Sequence, residues 1–289
     1  MTVDTPRYRD APFVDSVLCV TDFSMATLHT FAHALAVAMS VRGELILVHA
    51  NKSDHEDWTY IPGVRAMLEA WGFLNAHSSR SAVFEQLALR VSRIVAEQGK
   101  YRAVIDLLAK RSVDLVVVAT EEGGWTSRLR ASDAERILHS SRTMTLFVPA
   151  KGRGFVSLKD GHHTLKNILI PVDSRQDPGP AVTYAIRAAV FSVEDTVHLH
   201  VLHVLPANDR SNVLSLQVPA DRPYVAFHGM TRIGDPADEI LKAADDLDAD
   251  LIVMSTSGEY GFLDVRGSRV SDQVVRRAPC PVLAVPLGT

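Results

Sequence analysis

Short aliphatic and β-branched runs alternate along this chain with longer stretches in which apolar side chains return every three or four positions. The first run, Ser16 to Asp22, is almost continuously apolar, which predicts a parallel strand buried on both faces. From Met25 to Met39, apolar positions recur at helical spacing, and Gly43 follows as a stop. Strands are then expected at Leu45 to Val48, Val91 to Ala96, Asp114 to Ala119 and Thr143 to Val148, with helices near 101–110 and 131–139. The second half repeats the order. Strands are expected at Ile168 to Asp173, Thr196 to Val201, Tyr224 to His228, Leu251 to Met254 and Val282 to Val285, and helices at 180–191, 236–246 and 270–277. Landmark pairs fix the repeat: Asp22 to Asp173 is an offset of 151 residues, His49 to His203 of 154, and Asp114 to Asp250 of 136. The drop places about 18 extra residues before the fourth strand of the first half, around Trp58 to Arg80, with an additional helix expected at Val64 to Trp71.

This pattern gives an α/β fold of two tandem Rossmann-like domains, each a five-stranded parallel sheet flanked by helices. The expected boundaries are 12–150 for the first domain, with a helical insertion at about 55–80, 151–165 for a linker rich in glycine and charge, and 166–289 for the second. Ligands of such sheets lie beyond the strand C-termini. The apolar last strands, Leu146 to Val148 and Val282 to Val285, need cover. They are expected to cover each other as an internal pseudo-dimer, with a homodimer as a further option.

Composition narrows the function. Hydrophobic residues make up 47% of the 289 and charged residues 22%, which excludes disorder. A net charge of -4 leaves no broad basic surface for duplex nucleic acid. Two cysteines, Cys19 and Cys280, are too few for a disulfide framework or a thiolate zinc site and suggest a reducing compartment. No apolar run reaches the roughly 18 to 20 residues of a membrane span, and the first residues lack a signal-peptide pattern, so a cytoplasmic protein with no membrane partner is expected. His198, His200 and His228 share a face of neighbouring strands, but without supporting carboxylates or thiolates they are read as packed histidines, and no metal site is expected. No nucleophile and base stand at a readable spacing, so no catalytic residue is expected.

Four separated segments of the second half carry a resemblance: Ile168 to Asp173, Gly234 to Leu241, Ala249 to Gly258, and Arg277 to Leu283. They resemble the universal stress protein family in order and spacing. The first half resembles it through Val20 to Ser24, Val113 to Thr120 and Ala134 to Leu138, so the whole looks like a tandem member with the adenine nucleotide alpha hydrolase-like fold. Nucleotide-binding members carry a Gly-x2-Gly-x9-Gly-Ser/Thr loop after the fourth strand, where backbone N–H groups and a helix N-terminus meet the phosphates. The resemblance implies an adenine nucleotide such as ATP, with magnesium accompanying it, at Pro171, Val172, Asp173, Val204, Met254, Ser255, Gly258, Gly261, Gly267, Ser268 and Arg269. Here Ser255 stands at the first glycine position, and Gly267-Ser268 falls one residue early, leaving Arg269 as a charged donor. The weaker counterpart in the first half is Thr21, Asp22, Ala119 and Ser132, where Ala119 and Glu122 replace both leading glycines and Glu121 and Glu122 repel phosphate. The implied role is a stress-response sensor with an unidentified protein partner. The alternatives are a nucleotide-independent scaffold of the same family and, third, a slow ATPase.

Overall fold

The computed structural model describes residues 14–21, 27–49, 63–95, 106–120, 143–173, 178–194, 196–205, 223–256 and 270–287. Every strand expected from the apolar runs is present: β1 (Ser16–Thr21), β2 (Glu44–His49), β3 (Arg90–Val95), β4 (Leu115–Thr120) and β5 (Met144–Pro149) in the first half. The second half supplies β6 (Asn167–Val172), β7 (Val197–Leu205), β8 (Val225–Ile233), β9 (Leu251–Thr256) and β10 (Val282–Pro286). The helices are α1 (Leu28–Ser40), α2 (Val64–Ala70), α3 (Ala82–Leu87), α4 (Gly179–Val190), α5 (Pro236–Asp246) and α6 (Val270–Arg277). Residues 106–110 are helical, whereas the helix expected near 131–139 lies outside the described residues. The insertion contains the expected α2 and also α3, which sequence reading missed: six residues are too few for a periodic signal. α5 has the expected bounds because Asp235 accepts from the Asp238 N–H at 3.1 Å, Pro236 opens the helix, and Asp238 and Glu239 occupy its first turn.

The ten strands form one sheet in the order β3-β2-β1-β4-β5-β10-β9-β6-β7-β8. All pairs within a half are parallel; β5 and β10 pair antiparallel through Phe147–Val282, Leu146–Leu283 and Thr145–Ala284. The last strands therefore cover each other, as their apolar composition requires. One sheet face carries a core that crosses the seam, joining Leu35 of α1, Val17 and Cys19 to Ile168, Ala185 and Leu199. On the other face the first half buries Leu18, Val20 and Ile46, whereas the second half buries Leu169, Ile240, Ile252 and Val274 together with Phe147 of β5.

The segment 151–165, expected as a linker, is packed against both halves, with the Arg153 N–H donating to the Pro279 carbonyl and the Val193 N–H to the His163 carbonyl. Phe155, Val156 and Leu165 are buried. The Phe155 N–H donates to Nε2 of His33 in α1 at 3.1 Å, and Trp71 donates its indole N–H to the Leu158 carbonyl at 3.0 Å. A Cβ at Gly161, whose φ is +72, would lie 2.4 Å from the Trp71 ring, and one at Gly154 would lie 2.7 Å from His33. The glycines that read as linker residues are thus required by close approach.

The landmark aspartates perform one structural job in both halves. Asp114 Oδ2 accepts from the N–H groups of Asp15 and Ser16 and from the Ser16 hydroxyl, at 2.8–3.0 Å. Asp250 Oδ2 accepts from the N–H groups of Lys166 and Asn167 at 2.7 and 2.8 Å. Each carboxylate ties the start of its half's first strand to the start of its fourth. Asp114→Ala leaves these donors unanswered and is expected to lower stability by about 1–3 kcal/mol, read as a lower urea midpoint. Among the described residues, no helix is long and apolar enough to cross a membrane.

Candidate functional site

In the second half, β6 is flanked by β9 on one side and β7 on the other. It pairs with β7 through Val172–His203, but its pairing with β9 covers only Ile168–Leu251 and Leu169–Ile252. Beyond Leu169, β6 and β9 part, which opens the crevice that doubly wound sheets use at the point where strand order reverses. Pro171, Val172 and Asp173 stand at the C-terminal end of β6, Met254 and Ser255 at that of β9, and Val204 near that of β7. The structure therefore brings the six described members of the expected site to one sheet edge. Gly258, Gly261, Gly267, Ser268 and Arg269 lie outside the described residues, as do Asp22 and Ser132.

Alternation of the cores orients this edge. Ile168, Ile170 and Val172 face the α4 side, as do Val253 and Val201. Two positions further, Ser255 and His203 continue that face; Val172 pairs with His203, while Ser255 stands on the strand that has parted from β6. Ser255 Oγ and His203 Nδ1 are both buried without a hydrogen-bond partner among the described residues. Buried polar atoms are nearly always satisfied, and each orphan costs about 1–3 kcal/mol. Both atoms stand at the C-terminal edge of the sheet, on the α4 side. His203 was only a repeat landmark in the sequence; its 154-residue offset from His49 is the signal that places it at the site. The position of Ser255 is fixed by its neighbour, because Thr256 donates its hydroxyl to the Val285 carbonyl at 3.3 Å and accepts from the Leu287 N–H at 2.8 Å.

The equivalent positions of the first half are Ala119, Thr21 and His49. Ala119 has no hydroxyl, and the Thr21 hydroxyl lies 3.0 Å from that of Thr27, its partner within the half. The two halves therefore share a backbone but differ in the polar groups they present. Cys19 and Cys280 are free, and burial pushes both thiols up to about 12, so neither is a thiolate at neutral pH.

The pattern of the universal stress protein family matches residues 14–149 and 213–286. The chain belongs to that family. A universal stress protein from Methanocaldococcus jannaschii is 29% identical over 146 residues, covering 44% of this chain and 86% of that protein. The crystal structure of a universal stress protein from Archaeoglobus fulgidus superposes with a TM-score of 0.58 at 17% identity, covering 95% of this chain and 99% of that one. A putative universal stress protein from Pseudomonas aeruginosa superposes with a TM-score of 0.59 at 14% identity, covering 94% and 93%. At these identities the structural likeness speaks for the fold. As a universal stress protein with two family segments, the chain carries two copies of the Rossmann-like unit joined edge to edge through their last strands.

Proposed function

We propose that this universal stress protein is a regulatory adenine-nucleotide-binding protein whose second half, residues 166–289, holds the nucleotide, while the first half, residues 12–150, acts as its structural partner. The carrying observation is the parting of β6 from β9 beside Asp173, with the buried Ser255 hydroxyl, which has no hydrogen-bond partner among the described residues, at the same edge. In this reading Asp173 and Val204 take the adenosine end, and Ser255 contributes a donor on the way to the phosphates. Gly258, Gly261, Gly267, Ser268 and Arg269 form the phosphate loop, with magnesium accompanying the nucleotide. The first half lacks the matching hydroxyl, because Ala119 stands at the position of Ser255, and its Glu121 and Glu122 oppose anions. A reducing, cytosolic setting belongs to the same reading, supported by two free buried cysteines.

Calorimetric titration with ATP, ADP and AMP tests the proposal. Saturation at about 100 times the dissociation constant should stabilise the protein by about 2.7 kcal/mol, visible as a thermal shift. Asp173→Ala should weaken binding about ten- to a hundredfold, the worth of a hydrogen bond to a charged group. No heat and no thermal shift at millimolar nucleotide would reject binding and leave the scaffold reading.

A further inference from the structure

Away from that edge, three imidazoles of the second half stand together. His198 and His200 project from the same side of β7, and His228 lies directly opposite His200 on β8. The His200 and His228 rings stack with centroids 5.0 Å apart, and the His198 ring lies 5.1 Å from His228 and 6.4 Å from His200. Nδ1 of His198 and Nε2 of His228 are 3.0 Å apart, and Nε2 of His200 is 3.3 Å from Oδ1 of Asn167 on β6. Among the described residues, no three His, Cys, Asp or Glu side chains are grouped so as to hold a metal ion.

A nitrogen pair at 3.0 Å holds one hydrogen, one nitrogen donating and the other accepting. The neutral pair satisfies this, and so does a pair that has taken up a single proton. A second proton sets N–H against N–H and charge against charge, beside a third ring already in stacking contact. Burial first, then the nearness of His228 and His198, pushes His200 down to about 4. The neighbouring carboxylates are committed elsewhere. On α5, Asp246 and Glu239 bind Arg232 of β8 and Glu239 also binds Lys242, while Asp245 of α5 and Asp248, just beyond its end, bind Arg153. Asp250, just before β9, accepts from the N–H groups of Lys166 and Asn167 beside β6.

β8 is the terminal strand of the sheet, and among the described strands only β7 pairs with it. We propose that His198, His200 and His228 form a proton-operated latch on this edge strand, closed while the imidazoles are neutral and opened when acid loads the cluster with more than one proton. The sign follows from the contact itself. Pairing of β8 is complete while the imidazoles are neutral and weakens as acid loads the cluster with protons. Its consequence is a nine-residue strand that leaves the β7 ladder and exposes strand edges to a partner in acid.

Hydrogen exchange followed by mass spectrometry tests the latch. After correction for the intrinsic pH dependence of exchange, amides of Val225–Ile233 should open about tenfold more readily at about pH 5 than at about pH 7.5 relative to those of β1 and β2, which report the general loss of stability in acid. The gain should vanish in His228→Thr, which suits an exposed edge strand, and in His200→Gln. Circular dichroism at neutral pH should confirm that both variants are folded. No acid-dependent opening of β8, an equal opening of β1 and β2, or an undiminished gain in the folded variants would overturn the proposal.

Discussion

Phe147→Ala should cost about 3–5 kcal/mol, the usual range for removing a fully buried phenylalanine. The ring belongs by sequence to the first half, yet it is 2% exposed within a core made of Leu169, Ala237, Ile240, Val274 and Cys280 from the second. Its backbone pairs with Val282, so deletion of the ring empties the second core at the point where the two sheets are zipped. All three tryptophans, Trp58, Trp71 and Trp125, lie in the first half, so fluorescence follows that half while far-ultraviolet circular dichroism follows both. If the seam couples the halves, the two signals unfold together in the native sequence and separate in Phe147→Ala, with the dichroism transition moving to lower denaturant. A midpoint within about 0.5 kcal/mol of the native value would show that the seam carries little stability, since surface substitutions have effects of that size.

The sheet was legible because its code is local. Runs such as Leu115 to Val118 and Leu251 to Met254 are apolar on consecutive positions, which only a strand covered on both faces tolerates, and the repeat supplied their order. Pairing of the last strands was expected because both are apolar edges that need cover and the resembled family pairs through that strand; their antiparallel direction came only from the structure. What escaped was the chemistry of long-range contact. Nothing around Phe155 announces that its N–H meets His33 across 122 residues, and the Gly-rich stretch that reads as a loose linker is glycine-rich because Trp71 and His33 press against it. The site shows the same division. Asp173, Val204 and Ser255 were expected at the site because strand ends are readable, whereas the place of His203 beside Val172 depends on a strand pairing that no single segment displays.

His33 and His163 should make the protein sharply acid-labile. His33 is fully buried; its Nδ1 lies 2.6 Å from the His29 carbonyl, and its Nε2 accepts from the Phe155 N–H. Both ring nitrogens are thereby assigned: Nδ1 carries the hydrogen and Nε2 the lone pair, which is the neutral imidazole. Protonation would place a second N–H against the donor of Phe155 and release the segment that bridges the halves. Burial is the main cause that pushes His33 down to about 3; the contact with His29 opposes it, and His163 adds to it. His163 is buried beside Phe155 and Phe191, with Nε2 3.3 Å from the Ser40 hydroxyl, and burial pushes it down to about 4. In the unfolded chain both titrate near 6.5, so the unfolded state binds about two more protons than the native state at pH values between roughly 4 and 6. Their contribution is complete above about pH 6.5 and is lost as pH falls, at about 1.4 kcal/mol per pH unit for each, or about 4 kcal/mol for the two by pH 5. Urea unfolding at a series of pH values measures this slope directly. Gln offers one acceptor and one donor in similar places, so His33→Gln with His163→Gln should remain folded and flatten the acid limb by about two protons. The same slope in both proteins would mean that the buried pair does not govern acid stability.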